Sequence, residues 1–256
     1  MLALGIDTSN YATSLAVVDT AAREVVCAKK RVLPVPKGKL GLRQSDAVFH
    51  HTVALPQLMA ELRESAPVEE VAIVGVSQKP RPAEGSYMPC FLAGVSFAAS
   101  FSAAKGIQPV CTTHQQGHVA AALFATGNPE LESRECLVFH VSGGTTELLL
   151  TKGHTILQVL GQSLDLYAGQ AVDRLGVLLG YDFPAGEQVS SLAAQFKEPV
   201  KARSNVKEGN CHLSGLQNQC EQLLQKGRPP AYVAKYCLLT IAQTMREMLQ
   251  YAHGLY

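Results

Sequence analysis

The chain has 256 residues, 47% apolar and 17% charged, which is enough to bury a substantial core in one or two globular domains. Its 22 basic and 21 acidic residues leave a formal charge of +1. That excludes the strong positive field of most nucleic-acid binders and confines any RNA contact to a local patch or to a partner. The start, Met-Leu-Ala-Leu-Gly-Ile-Asp, lacks a basic region ahead of a long apolar stretch, and no run of about eighteen uncharged apolar residues occurs, so neither secretion nor a membrane span is expected. Cysteines 27, 90, 111, 136, 211, 220 and 237 form an odd, scattered set without a Cys-x-x-Cys pair, which predicts reduced thiols and a cytoplasmic protein.

In chain order, Leu2 to Ile6 reads as a strand, Asp7-Thr8-Ser9-Asn10 as a polar turn and Thr13 to Asp19 as a second strand. A helix is predicted around Asp46 to Ser65, an apolar strand over Val71 to Val76 and a helix near Phe91 to Ala104. A short strand, Gln108 to Cys111, feeds a helix from about His114 to Phe124. The cluster Thr126-Gly-Asn-Pro-Glu130 marks a boundary, giving domains over 1–128 and 129–256. Beyond it the opening grammar returns: Leu-Val-Phe-His-Val, then Ser142-Gly143-Gly144-Thr145-Thr146, then Glu147 to Thr151. A helix around Ala168 to Leu179, a Phe183-Pro-Ala-Gly186 turn, a polar stretch from about Lys197 to Asn210 and an apolar helix from about Tyr232 to Ala252 complete the reading. Strands alternating with helices imply α/β architecture, and the duplicated hairpin suggests the two-domain actin and Hsp70-like fold among other α/β possibilities.

Four motifs carry chemistry, and each has a plain structural alternative. Ser142 to Thr145, with Gly143 and Gly144, can turn tightly enough for backbone N–H groups to converge on phosphate, or can be an ordinary hairpin turn. His114-Gln-Gln-Gly-His118 puts two imidazoles on one helix face, where they can share a metal, although a stable site needs a third ligand. Asp165, Gly169 and Asp173 stand at intervals of four, aligned on one face if helical, with Gly186 in a following turn. Those carboxylates can hold ribose hydroxyls or merely sit at a helix N-terminus. Asp7 ends the first strand, where it can order a cation or form an Asx-turn.

Taken in order, Gly5-Ile-Asp-Thr-Ser9, Thr113-His-Gln-Gln-Gly-His118, Val141-Ser-Gly-Gly-Thr-Thr146, Asp165-x-x-x-Gly169-x-x-x-Asp173-Arg-Leu-Gly and Gly180-Tyr-Asp-Phe-Pro-Ala-Gly186 resemble the catalytic subunit family of tRNA threonylcarbamoyladenosine synthases, earlier described as O-sialoglycoprotein endopeptidases. The resemblance spans residues 1 to about 190. It implies a two-domain actin/Hsp70-like ATPase (ASKHA) fold with duplicated RNase H-like halves. It also implies transfer of a threonylcarbamoyl group from its adenylate to the exocyclic amine of a tRNA adenosine. Carried over by position, His114 and His118 bind a divalent metal, zinc or iron; Asp7, from its place at the end of the first strand, is taken as the catalytic residue. Ser142, Gly143, Gly144 and Thr145 contact an adenine nucleotide, ATP or threonylcarbamoyl-AMP, with magnesium a further expectation. Asp173 and Gly186 hold its ribose, and Asp165 and Gly169 of the same spaced motif are expected beside them in the nucleotide site. The implied partners are tRNA reached through partner proteins, a small dimerising paralog and a P-loop ATPase of the same pathway.

Three departures qualify this reading. The acidic pair of the family's first turn is replaced by Asn10-Tyr11-Ala12, which favours an alternative as a non-catalytic nucleotide-binding scaffold. The basic segment Lys37-Gly-Lys39-Leu-Gly-Leu-Arg43 is short. The family continues past its final helix with a strand, an adenine-contacting Gly-Gly loop and a late metal-binding aspartate, whereas this sequence stops at Tyr256. The second half is therefore expected to be incomplete, with an open sheet edge that favours oligomers. His140, just ahead of the phosphate loop, occupies the place of a metal-ligating tyrosine in archaeal relatives. It is expected to join His114 and His118 as a third ligand, unless strand alternation turns it the other way. A metallopeptidase is disfavoured, because the residue after the first histidine is Gln115, which cannot act as the general base of a His-Glu-x-x-His site.

Overall fold

The computed structural model describes residues 1–35 and 42–255, so most of the Lys37 to Arg43 cluster lies outside the described residues. The chain divides into two compact units, Met1–Ala122 and Leu123–Tyr256.

In the first unit, β1 (Leu2–Ser9), β2 (Ala12–Asp19) and β3 (Glu24–Val32) form an antiparallel meander, followed by helix α1 (Gln44–Arg63). Strand β4 (Val71–Lys79) pairs parallel to β1. After helix α2 (Phe91–Lys105), β5 (Pro109–Thr113) pairs parallel to β4 and runs straight into helix α3 (His114–Ala125). The sheet order β3-β2-β1-β4-β5 is that of an RNase H-like half. The alternation of apolar residues explains its core: Leu4 and Ile6 of β1, Leu15 and Val17 of β2, and Val74 and Val76 of β4 are buried against Leu55, Leu58 and Leu62 of α1 and Ala98 of α2. Helix α2 ends at Gly106, whose φ of 68° closes the helix in a conformation that a side chain would disfavour.

The turn anticipated at Asp7 to Asn10 sits later. Strand β1 pairs with β2 through Ser9↔Ala12, leaving Asn10 and Tyr11 as the connection, so Asp7 is a strand residue. Strand β3, which the sequence reading left out, is exposed over much of its length and carries Lys29, Lys30 and Arg31.

In the second unit, β6 (Glu135–Val141), β7 (Thr146–Lys152) and β8 (Thr155–Gln162) repeat the connectivity and directions of β1 to β3. Helices α4 (Ala168–Leu178) and α5 (Gly186–Gln195) follow, then a two-stranded hairpin, β9 (Val206–Lys207) and β10 (Asn210–Cys211), then α6 (Ser214–Gln225) and α7 (Pro230–His253). Helices α5 and α6, absent from the sequence reading, flank the polar stretch from Lys197 to Asn210. Leu148 and Leu160 of the sheet pack with Leu175, Val189, Leu216, Val233, Cys237 and Met248 of the four helices. Among the described residues β6 is paired only with β7, whereas β1 has a strand on each side.

No helix among the described residues is long and apolar enough to cross a membrane. All seven cysteines are free thiols.

Candidate functional site

The first unit brings three side chains into one hydrogen-bonded series, one from the end of β1 and two from the helix that follows the edge strand β5. Residue 113 is where β5 becomes α3, and the junction is a reciprocal capping box: the Gln116 N–H donates to Thr113 Oγ1 (3.2 Å) while Gln116 Oε1 accepts from the Thr113 N–H (3.1 Å). With no loop between strand and helix, His114 is the first helical residue and His118 lies one turn on. His114 Nδ1 is 2.8 Å from Asp7 Oδ2, and His118 Nε2 is 2.9 Å from His114 Nε2, with the rings 82° apart.

The protonation states follow from these contacts. Burial by itself raises the Asp7 carboxyl, but hydrogen bonding and charge from His114, with hydrogen bonds from Ser77 and Ser9, outweigh it and hold the group at about 2. An ionised Asp7 requires the proton on His114 Nδ1, which leaves Nε2 to share one proton with His118 or to bind a metal. Desolvation and the neighbouring His114 lower the His118 pKa, favouring the neutral imidazole a metal needs. Two nitrogens held at about 2.0–2.1 Å from one zinc lie roughly 2.9–3.4 Å apart for bond angles of about 90–109°. The observed pair fits that spacing, and Asp7 stands where a carboxylate orients a ligating histidine. The Asx bond from the Ser9 N–H to Asp7 Oδ1 is also present at 3.0 Å, so one carboxylate oxygen holds the strand end and the other holds His114.

In the second unit the Ser142 to Thr145 loop joins β6 to β7 and is braced by the start of α4. The Ser142 N–H donates to the Thr145 carbonyl (2.7 Å), the Gly144 N–H to Ser142 Oγ (3.1 Å), the Gly169 N–H to the Ser142 carbonyl (3.2 Å) and the Ala168 N–H to Thr146 Oγ1 (2.8 Å). A Cβ on Gly169 would lie 2.6 Å from Gly143 N and from the Ser142 carbonyl, so only glycine lets helix and loop meet. Gly143 and Gly144 do not lie in the left-handed region, and a Cβ on either would meet nothing within 4 Å. What they remove is bulk, leaving the loop backbone open to close approach.

The four-residue spacing does not place Asp165 on the helix face, because α4 begins only at Ala168. Asp165 instead caps α6: Oδ1 accepts from the N–H groups of Leu213 (2.7 Å) and Ser214 (3.2 Å), and Oδ2 from Ser214 Oγ (2.6 Å). Burial raises this carboxyl, and these bonds bring it down to about 2. Asp173 does lie on α4, and its Oδ1 accepts from the Ala185 N–H (2.9 Å), pinning the turn that leads to Gly186 at the start of α5. His140 is opposite Glu147 in the sheet. Its neighbour Phe139 packs on the helical core with Leu148, so alternation puts His140 on the other face. Among the described residues no group of three or more His, Cys, Asp or Glu side chains could hold a metal ion, so two histidines and their carboxylate are what the first unit assembles.

Sequence reasoning missed Ser77, which follows the apolar run of β4 and bonds Asp7 because β1 and β4 are in register up to Ile6↔Val76. It also missed Cys90, whose thiol is pushed up to about 11 by burial and by the Asp7 charge, an inert neighbour rather than a nucleophile. The Thr113-x-x-Gln116 spacing was the available signal for the capping box.

Residues 36–252 match the family described as tRNA N6-adenosine threonylcarbamoyltransferase (TsaD). Relatives of that name include one from Carboxydothermus hydrogenoformans, 27% identical over 227 residues, covering 87% of this chain and 66% of the relative. Another from Archaeoglobus fulgidus is 29% identical over 228 residues, covering 89% and 66%. The chain therefore spans just under two thirds of the length of these relatives. Among solved structures, HypF of T. kodakarensis is similar over 99% of this chain and 40% of its own, with a TM-score of 0.59 at 12% identity. That likeness bears on the fold alone, which is the α/β fold of the actin/Hsp70-like ATPases.

Proposed function

We propose, from the premise that this chain belongs to the tRNA N6-adenosine threonylcarbamoyltransferase family, that it serves tRNA modification by threonylcarbamoyl transfer. In the proposed reaction the exocyclic amine of a tRNA adenosine attacks the carbamoyl carbon of threonylcarbamoyl-AMP. The new N–C bond replaces the C–O bond to phosphate, AMP departs and the amine releases a proton.

The observation that carries this reading is the Asp7–His114–His118 line, with two Nε2 atoms 2.9 Å apart and the far nitrogen of His114 held by a carboxylate. Those nitrogens suit zinc or iron(II), which when bound would supply Lewis-acid polarisation of an acyl or phosphoryl oxygen. Asp7 fixes the tautomer of His114. The backbone of Ser142 to Thr145, left open by its two glycines, receives the phosphate of an adenine nucleotide, and Asp173 with Gly169 and Gly186 lines its ribose side. Magnesium, the small dimerising paralog, the P-loop ATPase and tRNA delivered by partner proteins belong to the same proposal, as does self-association along the β6 edge. The test is threonylcarbamoyl transfer to tRNA with the pathway's partner proteins, lost in His114→Ala and His118→Ala.

One observation favours a second reading, a nucleotide-binding scaffold without transfer activity. Asn10, standing where the family carries an acidic residue, accepts a hydrogen bond from Gln44 Nε2 at 2.7 Å and so serves the packing of α1. A chain that binds nucleotide and the paralog yet gives no transfer would select the scaffold. Peptidase activity is disfavoured further by the burial of Gln115, 2% exposed, with its N–H bonded to the Pro80 carbonyl.

A further inference from the structure

Away from both clusters, the second unit contains a cavity of about 670 Å³ between the β9–β10 hairpin, the N-terminus of α6 and the middle of α7. Its volume is in the range of small-molecule sites. Arg203, Lys207, His212, Gln219, Thr240 and Thr244 are among the residues that line it. We propose that this cavity binds a phosphorylated small molecule, through Arg203, Lys207 and the Gln219 amide.

The argument is a donor count. Neither Arg203 nor Lys207 takes part in an ion pair among the described residues. The only carboxylate on the wall, Asp165, is already satisfied by the backbone N–H groups of Leu166, Leu213 and Ser214 and by Ser214 Oγ, with His212 Nδ1 at 3.5 Å. Its charge is spent on the start of α6 and offers little to a cationic ligand. Gln219 Oε1 accepts from the Tyr236 hydroxyl at 2.7 Å, so the amide presents its NH₂ to the cavity, and that nitrogen sits beside Gly215 in the first turn of α6. Two unpaired cations, an exposed imidazole and an amide converge on one space whose only acid is internally neutralised. An oxyanion with several acceptor atoms matches that set, and phosphate matches it best.

A small molecule is favoured over an RNA backbone. The donors converge on one concave space, whereas a nucleic acid strand follows an extended basic track, and this chain has a net charge of only +1. The site is independent of the transfer reading, because none of its cations belongs to the loop or to the histidine pair.

The test is calorimetric titration of the full chain with inorganic pyrophosphate. The expected result is binding that weakens at least about tenfold in an Arg203→Ala/Lys207→Ala variant and is unchanged in Lys152→Ala, an exposed cation of β7 that does not line the cavity. Arg203 and Lys207 are exposed, so the double variant should melt as the parent does, which separates loss of the site from loss of the fold. Pyrophosphate affinity unchanged in the double variant would overturn the proposal. So would binding abolished by Gly144→Ala alone, since the anion would then occupy the β6–β7 loop. Displacement of pyrophosphate by a single-stranded RNA oligonucleotide through the same two cations, at lower concentration, would replace the small molecule with a nucleic acid.

Discussion

Replacing Asp7 with asparagine separates charge from shape, because the amide can still accept from His114 Nδ1 but carries no charge. The Asp7 pKa falls from 3.8 to about 2 on folding, and its side chain is only 26% exposed, so solvent screening takes little from the effect. At about 1.4 kcal/mol per pKa unit, the carboxylate contributes on the order of 2 kcal/mol at neutral pH. The sign follows from the depressed folded value: the contribution is fully present above the unfolded pKa of 3.8 and disappears as pH falls through about 2. Linkage leaves about half of it at pH 3. Urea denaturation of parent and Asp7→Asn between pH 7 and pH 2 should show a stability gap of about 2 kcal/mol that closes over the acid end of that range. If the two units unfold separately, only the transition displaced by the substitution is compared. A gap that stays constant from pH 7 to pH 2, or that never exceeds about 0.5 kcal/mol, would mean that the Asp7 charge is not coupled to His114 as described.

Three further outcomes are expected. Elemental analysis of the purified protein should find metal in the parent and none in His114→Ala or His118→Ala; metal retained in both variants would remove the pair as ligands. Asp173→Ala should weaken adenine nucleotide binding, measured by fluorescence titration, and unchanged affinity would withdraw the ribose assignment. Gly169→Ala forces a Cβ to within 2.6 Å of the backbone at Ser142 and Gly143 and should destabilise the second unit by about 1–3 kcal/mol in thermal melts, whereas a neutral change would show that helix and loop can separate freely.

What the sequence could reveal depended on the range of the interaction. Strands β1, β2, β4, β6 and β7 announce themselves by local apolar runs, and α3 and α7 by their spacing. Strand β3 hides because solvent faces most of it, and α6 because its glutamines leave only Leu216 and Cys220 buried. His114 and His118 were readable as a pair because one helical turn separates them. The Asp7 contact to His114 spans 107 residues, and only the parallel order β1-β4-β5 brings it about. Asp165 was misplaced for the same reason: its partners lie 48 and 49 residues further on, and periodicity carries no information about a helix cap from so far away. The face of His140 required the strand register, which the apolar alternation of Phe139 and Leu148 supplies once the pairing is known.

The direct passage from β5 into α3 makes residue count itself a functional quantity. One residue inserted between Thr113 and His114 would advance the helix by about 100° about its axis and displace it by about 1.5 Å, turning both imidazoles away from Asp7 together. Homologous chains that keep the histidine pair but vary in length are thus expected to absorb their insertions elsewhere, in the connection between α1 and β4 or after α3, and to leave this junction without a spare position. The same reasoning makes it a sensitive place to disable the pair by design: a single inserted alanine, touching no ligand, should do as much harm as replacing either histidine.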